Sequence, residues 1–241
     1  TKSNYSKILF HIFFFIILLL LIFFREPCWF LEGSFKVHDY SYYNQILKNK
    51  NFFEIIFHVR EGHGVLIFWN NITHFFLQFF PYDIAKYLIN YTNLFVYMTI
   101  LSFVYFAKSE LFLNTKHKIF AALIILVSPP MTPEVWMSSA HLRGYFGIFS
   151  FILLFQDHEK HKKFFNNITS FLIFFSGLCS IYAAALTPAY FLKFYLFRNK
   201  ENFKRFIFAS ISFLIQGAIV LYHIYVDFGE TTRFQYDIKL F

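Results

Sequence analysis

Charged residues are scarce in this chain of 241 residues: they make up 15% of it, whereas a soluble domain usually carries about 25%. The deficit falls in long apolar blocks that are separated by short basic clusters, a distribution typical of chains that fold in lipid. The mean hydropathy is +0.48. The composition therefore predicts an integral membrane protein and argues against a soluble domain.

Cysteine is also scarce. Only Cys28 and Cys179 are present, and neither has a neighbour at a metal-ligand or CxxC spacing. The sequence contains no glycine-rich phosphate loop, no GxSxG nucleophile elbow and no paired zinc-ligand motif. No familiar soluble-enzyme motif therefore identifies a site.

Aromatic residues and positive charge are what the chain has in excess. It contains 40 Phe and 16 Tyr, which a biased genome composition explains without a stacking site. The net charge of +8 would favour nucleic acid as the partner of a soluble protein. Here the basic residues lie in short loops between apolar runs, where membrane topology requires them, so nucleic-acid binding is not expected.

Seven apolar segments are predicted to cross the membrane as helices. They are residues 8–24, 85–107, 119–128, 141–156, 168–184, 185–197 and 206–227. Several are shorter than the roughly 20 residues that cross a bilayer, and Pro129-Pro130 predicts a turn between helices near the membrane surface. A signal peptide is the alternative for the first segment, but residues 25–29 offer no small-residue cleavage site.

The predicted fold class is therefore all-α: a polytopic membrane helix bundle of about seven spans, with residues 1–241 as one transmembrane domain. Because the chain does not begin with Met, we expect it to be a fragment of a longer protein. Membrane lipids are its expected surroundings.

Basic residues alternate along the predicted loops. They follow the second, fourth and sixth segments: Lys108, Lys116, Lys118, Lys160, Lys162, Lys163, Arg198, Lys200, Lys204 and Arg205. The turns at 129–140 and 187–188 contain no Lys or Arg. The positive-inside rule therefore places the basic loops and the N-terminus in the cytoplasm.

Residues 25–84 are predicted to form a long segment on the outer face. They are neither apolar enough to span the membrane nor polar enough to be disordered. Apolar clusters at 52–57 and 66–80 alternate with polar residues, which predicts short helices that lie along the outer membrane interface.

Asp39 is the first candidate for chemistry, because it follows the first span closely and opens a plausible helix over residues 39–47. A carboxylate at a helix N-terminus often caps free amides, so a cap and a catalytic base are both open interpretations. Glu32 is the alternative carboxylate in the same region.

Arg143 lies at the outer end of the fourth segment, where the positive-inside rule disfavours a cation. An ionisable group at the membrane edge is a functional hypothesis. Snorkelling to the headgroups and pairing with Glu134 are the alternatives. His63 lies in a polar loop, and histidines 38, 58, 63 and 74 share the outer segment without a convincing metal-ligand spacing.

The order of these features resembles the GT-C superfamily of membrane glycosyltransferases, and within it the bacterial protein-mannosyltransferase and aminoarabinose-transferase type. Residues 39–43 (DYSYY) are similar to that family's acidic motif after the first span, although the acidic pair is reduced to one Asp. Residues 63–66 (HGVL) lie where the family often has a His-Pro-Pro-Leu-like stretch, without its prolines. Residues 139–145 (SAHLRGY) resemble the Ser-x-x-x-Arg-x-Tyr stretch that opens the fourth span.

The resemblance covers the front half of a typical member. It implies transfer of a sugar from a polyprenyl-phosphate carrier to a lipid, glycan or protein acceptor, at the periplasmic face of the bacterial inner membrane. Asp39 would be the base and Arg143 would bind the carrier phosphate. The further candidates for substrate binding are Arg60, Glu32, His63 and Tyr145. No cofactor is implied, and a divalent metal has no sequence support. A transporter of lipid-linked sugars and a non-catalytic scaffold subunit are the rival hypotheses.

Overall fold

The computed structural model describes residues 2–33, 39–40, 51–59, 65–106, 108–112, 114–127, 138–139, 141–157 and 163–229. These ranges are mostly helical, and the only extended pairing within them is an isolated bridge. The helices are α1 (Lys2–Arg25), α2 (Pro27–Leu31), α3 (Phe52–Ile56), α4 (Phe68–Leu77), α5 (Tyr82–Phe106), α6 (Thr115–Val127), α7 (Leu142–Leu154), α8 (Lys163–Cys179), α9 (Ile181–Ala184), α10 (Thr187–Phe197) and α11 (Lys200–Gly229). The predicted all-α class is confirmed.

Two of the described helices are long and apolar enough to cross a membrane: α5, and α11 over Lys200–Tyr225. The core helix of a soluble protein would have the same length and composition, but it would be mostly buried. Only 17% of the apolar window of α11 is buried within the protein, and Leu214, Leu221 and Tyr225 are 67%, 67% and 82% exposed. An exposed apolar surface of this extent indicates a lipid or protein environment rather than water.

The first helix has the same outward character. α1 contains 24 residues, which extend about 36 Å at 1.5 Å per residue. Leu9, Phe13 and Phe24 are exposed on its surface, whereas Phe14, Leu18 and Ile22 are buried in a core that also contains residues of α5 and α6. One stripe of α1 therefore packs on the protein, and the opposite face is apolar and uncovered.

The remaining apolar helices are short. α6 and α7 contain 13 residues each and α10 contains 11, which gives lengths of about 20 Å or less against a hydrocarbon core of about 30 Å. Each matches a predicted segment in position, but the number of membrane crossings stays a prediction. The turn predicted at Pro129-Pro130 lies outside the described residues.

Three loops with predicted cytoplasmic positions meet at one end of the molecule. Ser109 and Gln156 form an antiparallel bridge, and the Asp157 amide donates to the Lys108 carbonyl oxygen at 2.9 Å. Arg205 Nη1 donates to the Gln156 carbonyl oxygen at 2.9 Å. The loops that the charge pattern assigns to one side are therefore in contact.

The predicted span at 168–184 is interrupted. α8 ends at Cys179, and Ser180 has an extended backbone with φ −153° and ψ 123° before α9 begins. Gln216 of α11 satisfies the broken end, since its Nε2 donates to the Leu178 carbonyl oxygen at 3.0 Å and to the Leu66 carbonyl oxygen at 2.9 Å. Free carbonyl groups away from water are tolerated only with such partners.

The outer segment contains the short helices that its sequence predicts, α3 and α4. The buried face of α4 is largely polar, with Asn70, Asn71, Thr73 and His74 covered beside Leu77, whereas Phe76 is exposed. In a water-soluble amphipathic helix the buried face is mainly apolar. Phe76 is therefore free to contact the membrane interface, whereas the other aromatic residues of α4 pack on the protein.

Candidate functional site

The carboxyl group of Asp39 lies against the two serines that precede α7. Ser139 Oγ is 2.5 Å from Asp39 Oδ1, Ser138 Oγ is 3.3 Å from the same oxygen, and the Ser139 amide donates to Oδ2 at 3.3 Å. All three residues are at most 1% exposed. The structure thus joins residue 39 to the 139–145 stretch, a hundred positions later in the chain.

The second wall of the site comes from α4. His74 Nε2 lies 3.0 Å from the Asp39 carbonyl oxygen, and His74 Nδ1 lies 2.8 Å from the Asn70 carbonyl oxygen. Both partners are carbonyl oxygens, which only accept hydrogen bonds. The His74 ring therefore joins α4 to the backbone of residue 39.

Burial raises the pKa of the Asp39 carboxyl group, and the charge of His74 and the hydrogen bonds from Ser139 and Ser138 offset only part of that effect. Desolvation favours the neutral form of an acid, whereas a nearby cation and hydrogen-bond donors favour its anion. Asp39 consequently holds a proton more tightly than an exposed aspartate does. A carboxylate in that condition is also a stronger proton acceptor.

The hydroxyl group of Ser139 can accommodate both protonation states of Asp39. It contacts Asp39 Oδ1 and also Asn70 Oδ1, but it has one proton to donate. When Asp39 is neutral, Asp39 donates to Ser139 and Ser139 donates to Asn70. When Asp39 is ionised, Ser139 donates to Asp39. The Asn70 amide group can then rotate by 180°, so that its Nδ2 donates to the Ser139 oxygen. Asn70 Nδ2 otherwise has no described partner.

One end of this hydrogen-bonded chain is more exposed than the rest. His141 Nδ1 lies 3.3 Å from Ser138 Oγ, and the His141 ring is half-buried. The residue occupies the N-cap position of α7, but its side chain makes no capping bond. A backbone turn fixes its place, since the His141 amide donates to the Ser138 carbonyl oxygen at 3.0 Å.

Arg143 and Tyr145 occupy the first turn of α7, and both are half-buried. No described residue forms an ion pair or hydrogen bond with the Arg143 side chain; Glu134, the predicted alternative partner, lies outside the described residues. The Tyr145 ring packs edge-on against Tyr97 of α5, with 4.7 Å between centroids. The described contacts of Tyr145 therefore belong to the interface of α5 and α7.

The other predicted site residues are not brought to Asp39 by any described contact. Glu32 is exposed at the C-cap of α2. Arg60 and His63 lie outside the described residues, as does the helix predicted after Tyr40. Within the described ranges, no three His, Cys, Asp or Glu side chains are grouped closely enough to hold a metal ion.

The sequence interpretation missed Asn70 and His74 as parts of the site. The available signal was periodicity, because Asn70, Asn71 and His74 fall on one face of a helix at positions i, i+1 and i+4. A polar stripe on an otherwise apolar helix indicates a buried polar contact in a lipid-facing protein.

Comparison of the chain with models of known protein families, with curated protein sequences and with solved structures finds no match.

Proposed function

We propose that the chain is an integral membrane glycosyltransferase, which moves a sugar from a polyprenyl-phosphate carrier to an acceptor hydroxyl group at the outer membrane face. The observation that carries the proposal is the contact between Asp39 and the Ser138-Ser139 pair. It connects the carboxylate behind the first helix to α7, which carries Arg143 in its first turn. Both polar elements of the chemistry are thus attached to one small region.

The proposed reaction needs a proton acceptor and a cation. The acceptor oxygen bonds to C1 of the sugar while the bond from C1 to the phosphate oxygen breaks, and the acceptor proton passes to the Asp39 carboxylate. The leaving lipid phosphate gains negative charge. Arg143 supplies a cation, and its planar fork can donate two hydrogen bonds to phosphate.

The membrane setting of the proposal includes seven spans, a cytoplasmic N-terminus and location in a bacterial inner membrane. Its support is the length of α5 and α11 and the exposure of α11, together with the meeting of the basic loops at one end. Asp39 and the α7 N-terminus belong to the segments that the charge pattern assigns to the opposite face.

The test is transfer of labelled sugar from a polyprenyl-phosphate donor by the purified full chain in nanodiscs. We expect Asp39→Asn to lower transfer by about 10²–10⁴-fold, the usual range for removal of a general base. The matched control is Asp83→Asn, which alters an exposed carboxylate in the first turn of α5. Equal activity of Asp39→Asn and Asp83→Asn would contradict the proposed role of Asp39.

A non-catalytic scaffold subunit is the second candidate, and one observation favours it. Asp39 is 1% exposed, so an acceptor hydroxyl group cannot contact the carboxylate in this conformation. A scaffold would bind its partner subunits equally well with Asp39→Asn, whereas the proposed enzyme would lose turnover and keep its fold.

A further inference from the structure

The depth of Asp39 raises the question of how a substrate proton could reach it. Most residues that contact Asp39, or that contact its partners, are fully buried: Ser138, Ser139, Asn70 and His74. His141, which contacts Ser138, is half-buried.

We propose that His141 takes the proton from the acceptor hydroxyl group and that the Ser138 hydroxyl group relays a proton from His141 to Asp39. This inference rests on the proposed transferase function and assigns His141 as a second catalytic residue. Its geometric basis is the continuous path from His141 Nδ1 to Ser138 Oγ at 3.3 Å and from Ser138 Oγ to Asp39 Oδ1 at 3.3 Å.

The proton balance of the relay is complete within the chain's own residues. The acceptor O–H gives its proton to His141 Nε2, the proton on Nδ1 passes to Ser138 Oγ, and the Ser138 hydroxyl proton passes to Asp39 Oδ1. The acceptor oxygen bonds to C1 of the sugar while the bond from C1 to the carrier phosphate breaks. The phosphate oxygen keeps the electron pair of the broken bond. The ring of His141 begins and ends neutral, and Asp39 ends neutral.

The surroundings of Asp39 favour the end state of the relay. Burial stabilises the neutral acid that the relay forms. Burial therefore favours transfer of the proton to Asp39. Ser138 and Ser139 contact the Asp39 carboxyl group, and His74 contacts the Asp39 carbonyl oxygen. Asn70 on α4 contacts the Ser139 hydroxyl group. The charge of His74 and the hydrogen bonds from the two serines favour the anion from which the relay starts, and they offset only part of the effect of burial.

Chemical rescue tests the catalytic role of His141. We expect His141→Ala to lower transfer by about 10²–10⁴-fold and added imidazole to restore part of it, because a half-buried ring leaves a gap that is open to small molecules. Imidazole should not rescue Asp39→Asn. The matched control is His117→Ala, which removes an exposed histidine in α6. Full activity of His141→Ala would overturn the relay.

A conservative variant keeps the test valid if His141→Ala fails to fold. His141→Gln retains a hydrogen-bonding group near Ser138 but cannot exchange a proton at neutral pH. We expect it to fold, to bind the donor and to lose turnover. Normal turnover of His141→Gln would also overturn the relay.

A second measurement separates failure of the relay from failure of the transferase function. In protein labelled with ¹⁵N-histidine, we expect the Nδ1 resonance of His141 to shift in Ser138→Ala, because the hydrogen-bond partner is lost, and to stay unchanged in Asp83→Asn. An unchanged Nδ1 resonance in Ser138→Ala would overturn the relay whatever the activity. A shifted resonance without any sugar transfer would preserve the contact and contradict the proposed function.

Discussion

The Asp39 carboxyl group gives the protein a predictable response to pH. Because burial raises its pKa above the unfolded value, the folded state binds the proton more tightly than the unfolded state. Its stabilising contribution is therefore complete below the unfolded pKa, near 3.8, and is lost as the pH rises through the higher folded pKa.

The corresponding variant is Asp39→Asn, which cannot ionise. We expect its melting temperature to vary less with pH than that of the wild type between pH 4 and 8, and the difference should favour the variant most at the alkaline end. Thermal unfolding in detergent at several pH values measures this. A wild-type protein that becomes relatively more stable as the pH rises would contradict the assigned direction.

Substitutions of Arg143 can distinguish the effect of its charge from the effect of its hydrogen-bonding geometry. An arginine binds phosphate through two parallel hydrogen bonds, whereas a lysine acts as a point charge. We expect Arg143→Lys to retain partial transfer and Arg143→Gln to raise the KM for the lipid-phosphate donor. Because no described residue pairs with Arg143, thermal stability should change little. A large stability loss with unchanged donor KM would contradict phosphate binding.

At the residue scale, the sequence identifies some residues of the site but not the contacts that they make. Asp39 and the 139–145 stretch were identified from motif order, and the structure places Ser139 against Asp39. Asn70 and His74 were overlooked because their roles depend on the rotation of α4, which buries its polar face. Local propensity does not encode which face of a helix is buried.

At the scale of elements, α8 and α11 are in close contact at Gly177. A Cβ atom at this position would lie 2.5 Å from Ser212 Cβ, and Ser212 is buried. We expect Gly177→Ala to destabilise the protein by about 1–3 kcal/mol, as overpacking usually does. Thermal unfolding of the purified variant measures the effect.

The control for this substitution is Gly217→Ala in α11, where no heavy atom lies within 4 Å of a new Cβ. Alanine has the better helix propensity by about 1 kcal/mol, so this variant should be as stable as the wild type or more stable. Ser212→Gly should rescue Gly177→Ala if the clash is the cause. Equal stability of the two alanine variants would show that α8 and α11 are not in close contact here.

The interruption of α8 shows where element prediction reached its limit. Residues 168–184 contain no proline and were predicted as one span. The break at Ser180 depends on Gln216, which lies 36 positions later and accepts and donates hydrogen bonds with the Leu66 backbone. A distant partner of this kind is invisible to a sliding window, whereas the bounds of α5 and α11 follow directly from their hydropathy.

At the scale of the whole molecule, two hydrogen-bonded polar clusters of the described residues lie at opposite ends of α7. At one end the loops after α5 and α7 bond to each other and to Arg205, and at the other Asp39 meets Ser139. The exposed side chains of α1 and α11 are largely apolar. Because lipid does not compete for hydrogen bonds, a membrane favours this distribution and water does not.

The two cysteines provide a test of orientation. Cys28 is exposed just beyond α1, and Cys179 is buried at the end of α8. In intact cells, a membrane-impermeant maleimide should therefore label the wild type at Cys28, and Cys28→Ser should remain unlabelled until the protein is denatured. With Cys28→Ser as background, Thr115→Cys introduces a thiol at an exposed position at the start of α6.

Cys28 and Thr115 are separated by α5, whose 25 residues extend about 37 Å, enough to cross a hydrocarbon core of about 30 Å. We therefore expect Thr115→Cys to react only after the membrane is permeabilised. Labelling of Thr115→Cys but not Cys28 in intact cells would reverse the orientation and place Asp39 on the cytoplasmic side. Labelling of both thiols would show that α5 does not cross the membrane. The basic loops and the Asp39 region would then lie on the same side, which would contradict the proposed function.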